Sequence, residues 1–270
     1  MIPKVIHYCW FSGEEFTPFI KQCINTWHKV LPDYKLRLWD ANSFDFESVP
    51  FVHEAYKAKK WAFVTDYIRL YALYTEGGIY MDTDVKVLRS FNEFLGYNFF
   101  SAHEKHPFFF TKENELLLND DKTLKDENSM VEGWAIQAAI MGSVAGLPYL
   151  KECLEHYNNL EFNLQSNHIN DYVIGKHITK LILKYGYRFS DDKQILQNNM
   201  LILPSTLIVG NTMYMDKHPY AIHLCNGSWH EETFDSKLRN SYPGLYKFWS
   251  CIKRIYNGIK RRIQQLEFNL

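Results

Sequence analysis

The chain has 270 residues, 46% of them hydrophobic and 23% charged, with a formal net charge of -1. That is the composition of a globular protein with one large core, or a core and a small appendage, and the near-neutral balance gives no general reason to expect nucleic acid as a partner. Five scattered cysteines (Cys9, Cys23, Cys153, Cys225 and Cys251) with no CxxC pair argue against a disulfide framework or a zinc knuckle and fit a reducing cytosol.

From the start of the chain, Lys4–Trp10 (KVIHYCW) reads as a buried strand, too short an apolar run for a signal peptide. Helical spacing follows over Pro18–His28, and YKLRLWD alternates as a second strand. Strand, helix, strand at this pitch predicts an α/β sheet of the nucleotide-binding type. In AYKAKKWAFVTDYIRLYALYTEGG, Trp61, Val64, Ile68 and Tyr71 recur every three to four residues, and Gly77-Gly78 stops the helix. The strand Ile79-Tyr80-Met81 emerges from that stop. Further on, NFFSAHE reads as a strand, KENELLLNDDKTLKDENSM as polar and partly loop, and WAIQAAIMGS as strand or helix. Two helices, PYLKECLEHYNNL and HITKLILKYGY, precede the late strands LILPSTLIV and YAIHLCNGSW. No repeat and no Pro/Ser-rich linker divides the chain, and no segment approaches ~20 apolar residues. The expectation is one domain over residues 1–240, followed by a helical tail over 241–270. In that tail Phe248, Ile252, Ile255, Ile259 and Ile263 line one side, against Lys247, Lys253, Arg254, Lys260, Arg261 and Arg262. A basic amphipathic helix of this kind lies on an anionic membrane surface, or packs on its own domain with its basic face solvated.

The chemistry concentrates in GGIYMDTDV. Carboxylates at the end of a buried apolar strand are costly unless they are paired or hold a cation. Asp82 and Asp84, two apart, can converge on one hard divalent ion such as Mg²⁺ or Mn²⁺. Three readings compete: a surface turn, an aspartyl-phosphate phosphatase motif, and a sugar-nucleotide DXD. The apolar runs on both sides weaken the turn, and Lys86 two residues past Asp84 does not suit the phosphatase.

IPKVIHYCWF, FVTDYIRLYALYTEGGIYMDTDV and IHLCNGSW together resemble glycosyltransferase family 32, with a further similarity to the glucosyltransferase domains of clostridial toxins. The resemblance spans residues 1 to about 230. It implies a GT-A fold, Rossmann-like with flanking helices, together with a nucleotide-sugar donor, Mn²⁺ or Mg²⁺, and retention of anomeric configuration. By it, Asp66 and Arg69, three apart on one helix face, contact the donor sugar hydroxyls. Asp84 coordinates the metal, Asp82 holds the ribose and reaches the metal directly or through water, and Tyr80 supports the nucleotide. His223, or an oxygen ligand nearby, completes the metal site, while Ser228 and Trp229 contact the phosphates. Tyr8 and Trp10 flank the base or serve as core aromatics. Glu132, Trp134 and Gln137 are candidates for the acceptor side.

The function expected is transfer of a hexose, galactose or glucose, from a UDP-sugar to a glycan acceptor, a lipid-linked oligosaccharide of bacterial surface polysaccharide. It is expected in the cytoplasm, either free or, through the tail, peripheral at the inner face of the cytoplasmic membrane. The alternatives are a catalytically silent nucleotide-sugar-binding scaffold and a toxin-like transferase acting on protein.

Overall fold

The computed structural model describes residues 1–106, 109–162, 172–210, 218–225, 234–246 and 249–250. The chain forms two compact units: Met1–Glu14 with Cys23–Cys225, and Glu15–Gln22 with Asn226–Leu270. The division after Cys225 falls ahead of the residue 240 boundary read from sequence. Tail residues 247, 248 and 251–270 lie outside the described residues. Among the described residues, no helix is long and apolar enough to cross a membrane.

In chain order the elements are β1 (Val5–Cys9), α1 (Pro18–Val30), β2 (Lys35–Trp39), α2 (Pro50–Lys57), α3 (Trp61–Thr75), β3 (Gly78–Met81), β4 (Val85–Val87), β5 (Phe99–Lys105) and α4 (Lys112–Glu115). There follow β6 (Trp134–Ile136), β7 (Ile140–Ser143), α5 (Pro148–Asn158), α6 (Ile174–Ile182), β8 (Gln194–Leu196), β9 (Met200–Leu203), β10 (Ile208–Val209), β11 (Ala221–His223) and α7 (Phe234–Ser241). The main sheet runs β2-β1-β3-β7-β5-β9-β8, with β6 paired to β5. Strands β2, β1 and β3 are mutually parallel, whereas β7 lies antiparallel to both β3 and β5. Parallel neighbours need a crossover, which α1 and the α2–α3 pair supply. A second sheet, β10-β11-β4, receives the chain just past the acidic pair.

All four residues of β3 are buried, which fits its place inside the sheet. Its side chains alternate between two cores. Tyr80 faces the layer of Val64, Ile68, Tyr149 and Ile178, while Ile79 and Met81 face that of Trp27, Val85, Phe91 and Tyr220.

Tertiary packing subdivides three of the segments read from sequence. The long helix breaks between α2 and α3, where Lys57, Ala58, Lys59 and Lys60 offer no large apolar anchor and Lys59 adopts φ 54°. WAIQAAIMGS becomes β6 and β7, and Gly142 in β7 makes room for Phe100, whose ring a Cβ would meet at 2.1 Å. LILPSTLIV divides beyond Pro204, which has no N–H for a ladder, and β10 joins the second sheet.

The turn into β3 is held by a buried histidine. Gly77 and Gly78 take φ 67° and 107°, and a Cβ on Gly78 would stand 2.7 Å from the Val5 carbonyl. The His7 Nε2–H donates to the Gly77 carbonyl at 2.7 Å, while Nδ1 accepts from the Trp39 indole at 3.0 Å. An indole N–H can only donate, so this ring is neutral. Burial lowers its pKa, against the raising influence of the Gly77 hydrogen bond. The stabilisation is therefore complete above the unfolded value of about 6.5 and is lost as pH falls from there through the folded pKa. In urea unfolding at pH 8 and pH 5.5, His7→Gln is expected to be less stable than the parent at pH 8, with the gap narrowing at pH 5.5. A gap independent of pH would count against this role.

Candidate functional site

β3 ends at Met81, and the next four residues form a tight turn in which the Val85 N–H donates to the Asp82 carbonyl at 3.0 Å. The turn is pinned from both sides. The Asp82 N–H donates to the Ala139 carbonyl at 2.9 Å, and the Trp27 indole N–H donates to the Val85 carbonyl at 2.8 Å. From the turn the chain enters β4, whose antiparallel register with β11 sets His223 opposite Val85. The Leu224 N–H closes onto the Asp84 carbonyl at 3.2 Å. A residue 139 positions beyond Asp84 is thus delivered to it by strand pairing.

Ligand atoms of Asp82, Asp84 and His223 lie within 4.8 Å of one another. His223 Nε2 is 3.3 Å from Asp84 Oδ1 and 3.8 Å from Asp82 Oδ2. Burial opposes protonation of His223, but Asp84, by charge and hydrogen bond, raises its pKa well above the ordinary value, with Cys225 assisting. A nearly buried site that draws positive charge this strongly suits a divalent cation. Two carboxylates and one imidazole form a hard, oxygen-rich donor set that accommodates Mn²⁺ or Mg²⁺.

Behind this cluster sits a second one. Asp66 and Arg69 point from α3 into the interior, with side chains only 9% and 6% exposed, and Arg69 Nη2 donates to Asp66 Oδ1 at 2.8 Å. The guanidinium also donates from Nη1 to the Ala138 carbonyl at 2.8 Å and stands 3.5 Å from Asp82 Oδ1. It lies 4.7 Å from the centre of the Tyr80 ring, and the Tyr80 hydroxyl donates to Asp82 Oδ1 at 2.6 Å. Burial works against the charge on Arg69, but Asp82, Tyr80 and Asp66 hold its pKa above the ordinary value. Burial pushes the Asp66 carboxyl up to about 7 against the pull of Arg69. The intrahelical ion pair visible in the sequence is therefore a buried junction joining α3, β3 and the Ala138–Ala139 segment.

The remaining candidates separate. Tyr8 is half-buried, edge-on to Trp27 at 5.6 Å, and Trp10 is half-buried with its indole N–H on the Glu14 carbonyl. Glu132 pairs with Lys176 at 3.0 Å, and the buried Trp134 packs on Phe110 beneath the Lys105 ammonium, so neither is tied to the acidic cluster. Gln137 is fully buried, one and two residues before the carbonyls that hold Arg69 and Asp82. Ser228 and Trp229 lie outside the described residues. The contributions of Ala138, Ala139 and Trp27 were missed from sequence. The carbonyls leave no trace in side-chain chemistry, and the indole reads as core.

Residues 19–101 match the family described as the glycosyltransferase sugar-binding region containing the DXD motif. This DXD region runs from α1 into β5 and contains Asp66, Arg69, Tyr80, Asp82 and Asp84. Two curated proteins resemble the chain. An uncharacterized glycosyltransferase of Acanthamoeba polyphaga mimivirus is 30% identical over 124 residues, covering 41% of this chain and 47% of that protein. Inositol phosphoceramide mannosyltransferase 3 of Schizosaccharomyces pombe is 32% identical over 103 residues, covering 36% of this chain and 28% of that protein. The chain thus spans less than half the length of each. Among solved structures, the PaToxG glycosyltransferase aligns with a TM-score of 0.47 at 17% identity, over 68% of this chain and 69% of that one. The GT-A arrangement expected from sequence corresponds to what is observed: parallel β2-β1-β3 with flanking helices and the DXD pair at the end of β3.

Proposed function

We propose that the chain is a divalent-metal-dependent glycosyltransferase that moves a hexose, galactose or glucose, from a UDP-sugar to a glycan acceptor with retention at the anomeric carbon. The observation that carries this reading is the convergence of Asp82, Asp84 and His223 at the end of β3, backed by the Asp66–Arg69 pair. A bound Mn²⁺ or Mg²⁺ supplies Lewis-acid neutralisation of the diphosphate leaving group. Asp82, Asp84 and His223 hold that ion, and the Tyr80 hydroxyl fixes the Asp82 carboxylate. Asp66 accepts from donor sugar hydroxyls while Arg69 holds it in place. In the transfer, the bond from the anomeric carbon to the diphosphate oxygen breaks and the acceptor oxygen bonds on the same face. The acceptor proton passes to the departing phosphate.

The test is nucleoside diphosphate release from a panel of UDP- and GDP-sugars, with Mn²⁺ or with EDTA. Metal-dependent release from one donor is expected. No release from any donor, combined with no metal-dependent UDP binding, favours a silent nucleotide-sugar-binding protein.

We further propose a lipid-linked oligosaccharide acceptor at the inner face of the cytoplasmic membrane, met through the basic tail. Support comes from the Ile stripe flanked by Lys and Arg, and the name of the fission-yeast relative is in keeping with a lipid-borne acceptor. Anionic liposomes are expected to carry the full chain in flotation and to release it when residues 246–270 are removed; equal behaviour of the two chains removes the idea.

A further inference from the structure

The chain leaves β11 through a backbone conformation that side-chain-bearing residues rarely adopt. Cys225, two residues past His223, takes φ 46°, in the left-handed region where glycine and asparagine sit with least strain. For another residue that conformation costs about 1–3 kcal/mol and persists where something else holds it. What it achieves here is direction. The sharp turn folds the exposed Cys225 thiol back along its own strand, to within 3.5 Å of His223 Nδ1.

The sulfur is held on its far side as well. β10 lies parallel to β11 with Val209 opposite Ile222, and the next residue, Gly210, accepts from the thiol on its carbonyl at 3.4 Å. The His223 carbonyl is a second, longer acceptor at 3.7 Å. With the S–H directed to a carbonyl, the sulfur faces the imidazole as an acceptor, and Nδ1 must then carry a ring proton. Nε2 of the same ring stands 3.3 Å from Asp84 Oδ1 and 3.8 Å from Asp82 Oδ2. An Nε2 that ligates a cation needs its lone pair, which a neutral imidazole has there only when the proton is on Nδ1. A histidine ligand commonly gives that proton to a carboxylate, a backbone carbonyl or water, which fixes the ring and raises its basicity. Here the group at Nδ1 is the Cys225 sulfur.

We propose that Cys225 is a positioning residue for the cation site: its sulfur accepts from the His223 Nδ1–H, its own S–H goes to the Gly210 carbonyl, and the Nε2 lone pair is thereby aimed at the space Asp82 and Asp84 share. The inference rests on the metal-dependent reading of the acidic cluster, and it adds a residue that touches neither cation nor substrate. It also gives the left-handed backbone a use, since a glycine would relax the turn and leave Nδ1 without its acceptor. Serine keeps an acceptor and a donor at the same place, whereas alanine and glycine keep neither.

The experiment titrates Mn²⁺ into the full chain with UDP present and follows the free ion by its paramagnetic resonance signal. Cys225→Gly is expected to bind Mn²⁺ at least about tenfold more weakly than the wild type, the scale on which the hydrogen-bond partners of metal-bound histidines act. Its melting temperature in EDTA holds or rises, because glycine takes the left-handed conformation without penalty. Cys225→Ala shows the same loss of affinity, and Cys225→Ser recovers most of it. In turnover, the Mn²⁺ concentration for half-maximal rate moves with the affinity, while the rate at saturating Mn²⁺ returns towards that of the wild type. A smaller loss in Cys225→Gly, an equal loss in Cys225→Ser, or a melting temperature that falls together with the affinity in Cys225→Gly overturns the positioning role alone. A wild type that binds no Mn²⁺ overturns the metal-dependent reading itself, and the role of Cys225 with it.

Discussion

Asp84→Ala is expected to lower metal-dependent nucleoside diphosphate release by on the order of 10³-fold, the scale of several kcal/mol of charge stabilisation lost from a leaving group. The collapse should come without unfolding. Asp84 stands in a cluster where two carboxylates share one imidazole, so removing one relieves like-charge crowding, while its backbone carbonyl still accepts from Leu224. Calorimetry of UDP binding with and without Mn²⁺ separates the possibilities. Loss of the metal-dependent component in Asp84→Ala, with the melting temperature held, fits a metal ligand. Asp84→Asn should behave almost as badly, since the amide keeps the shape and loses the charge that a hard divalent ion requires. Activity within tenfold of wild type in either variant would remove Asp84 from the role.

The second large effect falls on stability as well as activity. Arg69 donates to Asp66 and to the Ala138 carbonyl, faces Asp82 and covers the Tyr80 ring, all with almost no solvent contact. Arg69→Met fills similar space but leaves the Asp66 carboxylate and the Ala138 carbonyl without their donor. Breaking a buried pair from one side costs about 3–5 kcal/mol, a large part of the stability of an ordinary domain. Urea unfolding should show that loss. Arg69→Lys should recover part of it, because the charge remains while the planar fork does not, and should still lose most turnover because Asp82 and the 138–139 segment are no longer held in register. If Arg69→Met unfolded at the wild-type midpoint, the junction would be a surface-like ion pair worth little. A variant pair that tracked each other in stability but differed in turnover would locate the contribution of Arg69 in charge alone.

How much of this could be read from the chain depends on how far apart the interacting residues lie. Asp82 and Asp84 announce themselves, because two carboxylates ending an apolar strand have few physical excuses. Asp66 and Arg69 are legible as a helical pair, and their membership of one motif came from the resemblance of the surrounding stretch. The α/β character followed from local periodicity, as did β1, α1, β2 and the end of α3 at Gly77-Gly78. The subdivision of WAIQAAIMGS was not legible, since a short apolar run with small residues has no period that separates strand from helix. It took the pairing of β7 with β3, and the fit of Gly142 against Phe100, to settle it.

The acidic pair, the helix that carries its neighbours and the class of sheet that holds them can be read from the chain alone, because each is encoded within a few turns of helix or a few alternating residues. Only in the folded chain does the β4–β11 register bring His223 to Asp84, a backbone carbonyl anchor Arg69, and Gly142 yield the space that the Phe100 ring fills. Those contacts join residues far apart in the chain through backbone groups and through a side chain that is absent. Backbone carbonyls and empty space carry no signature in an amino-acid sequence.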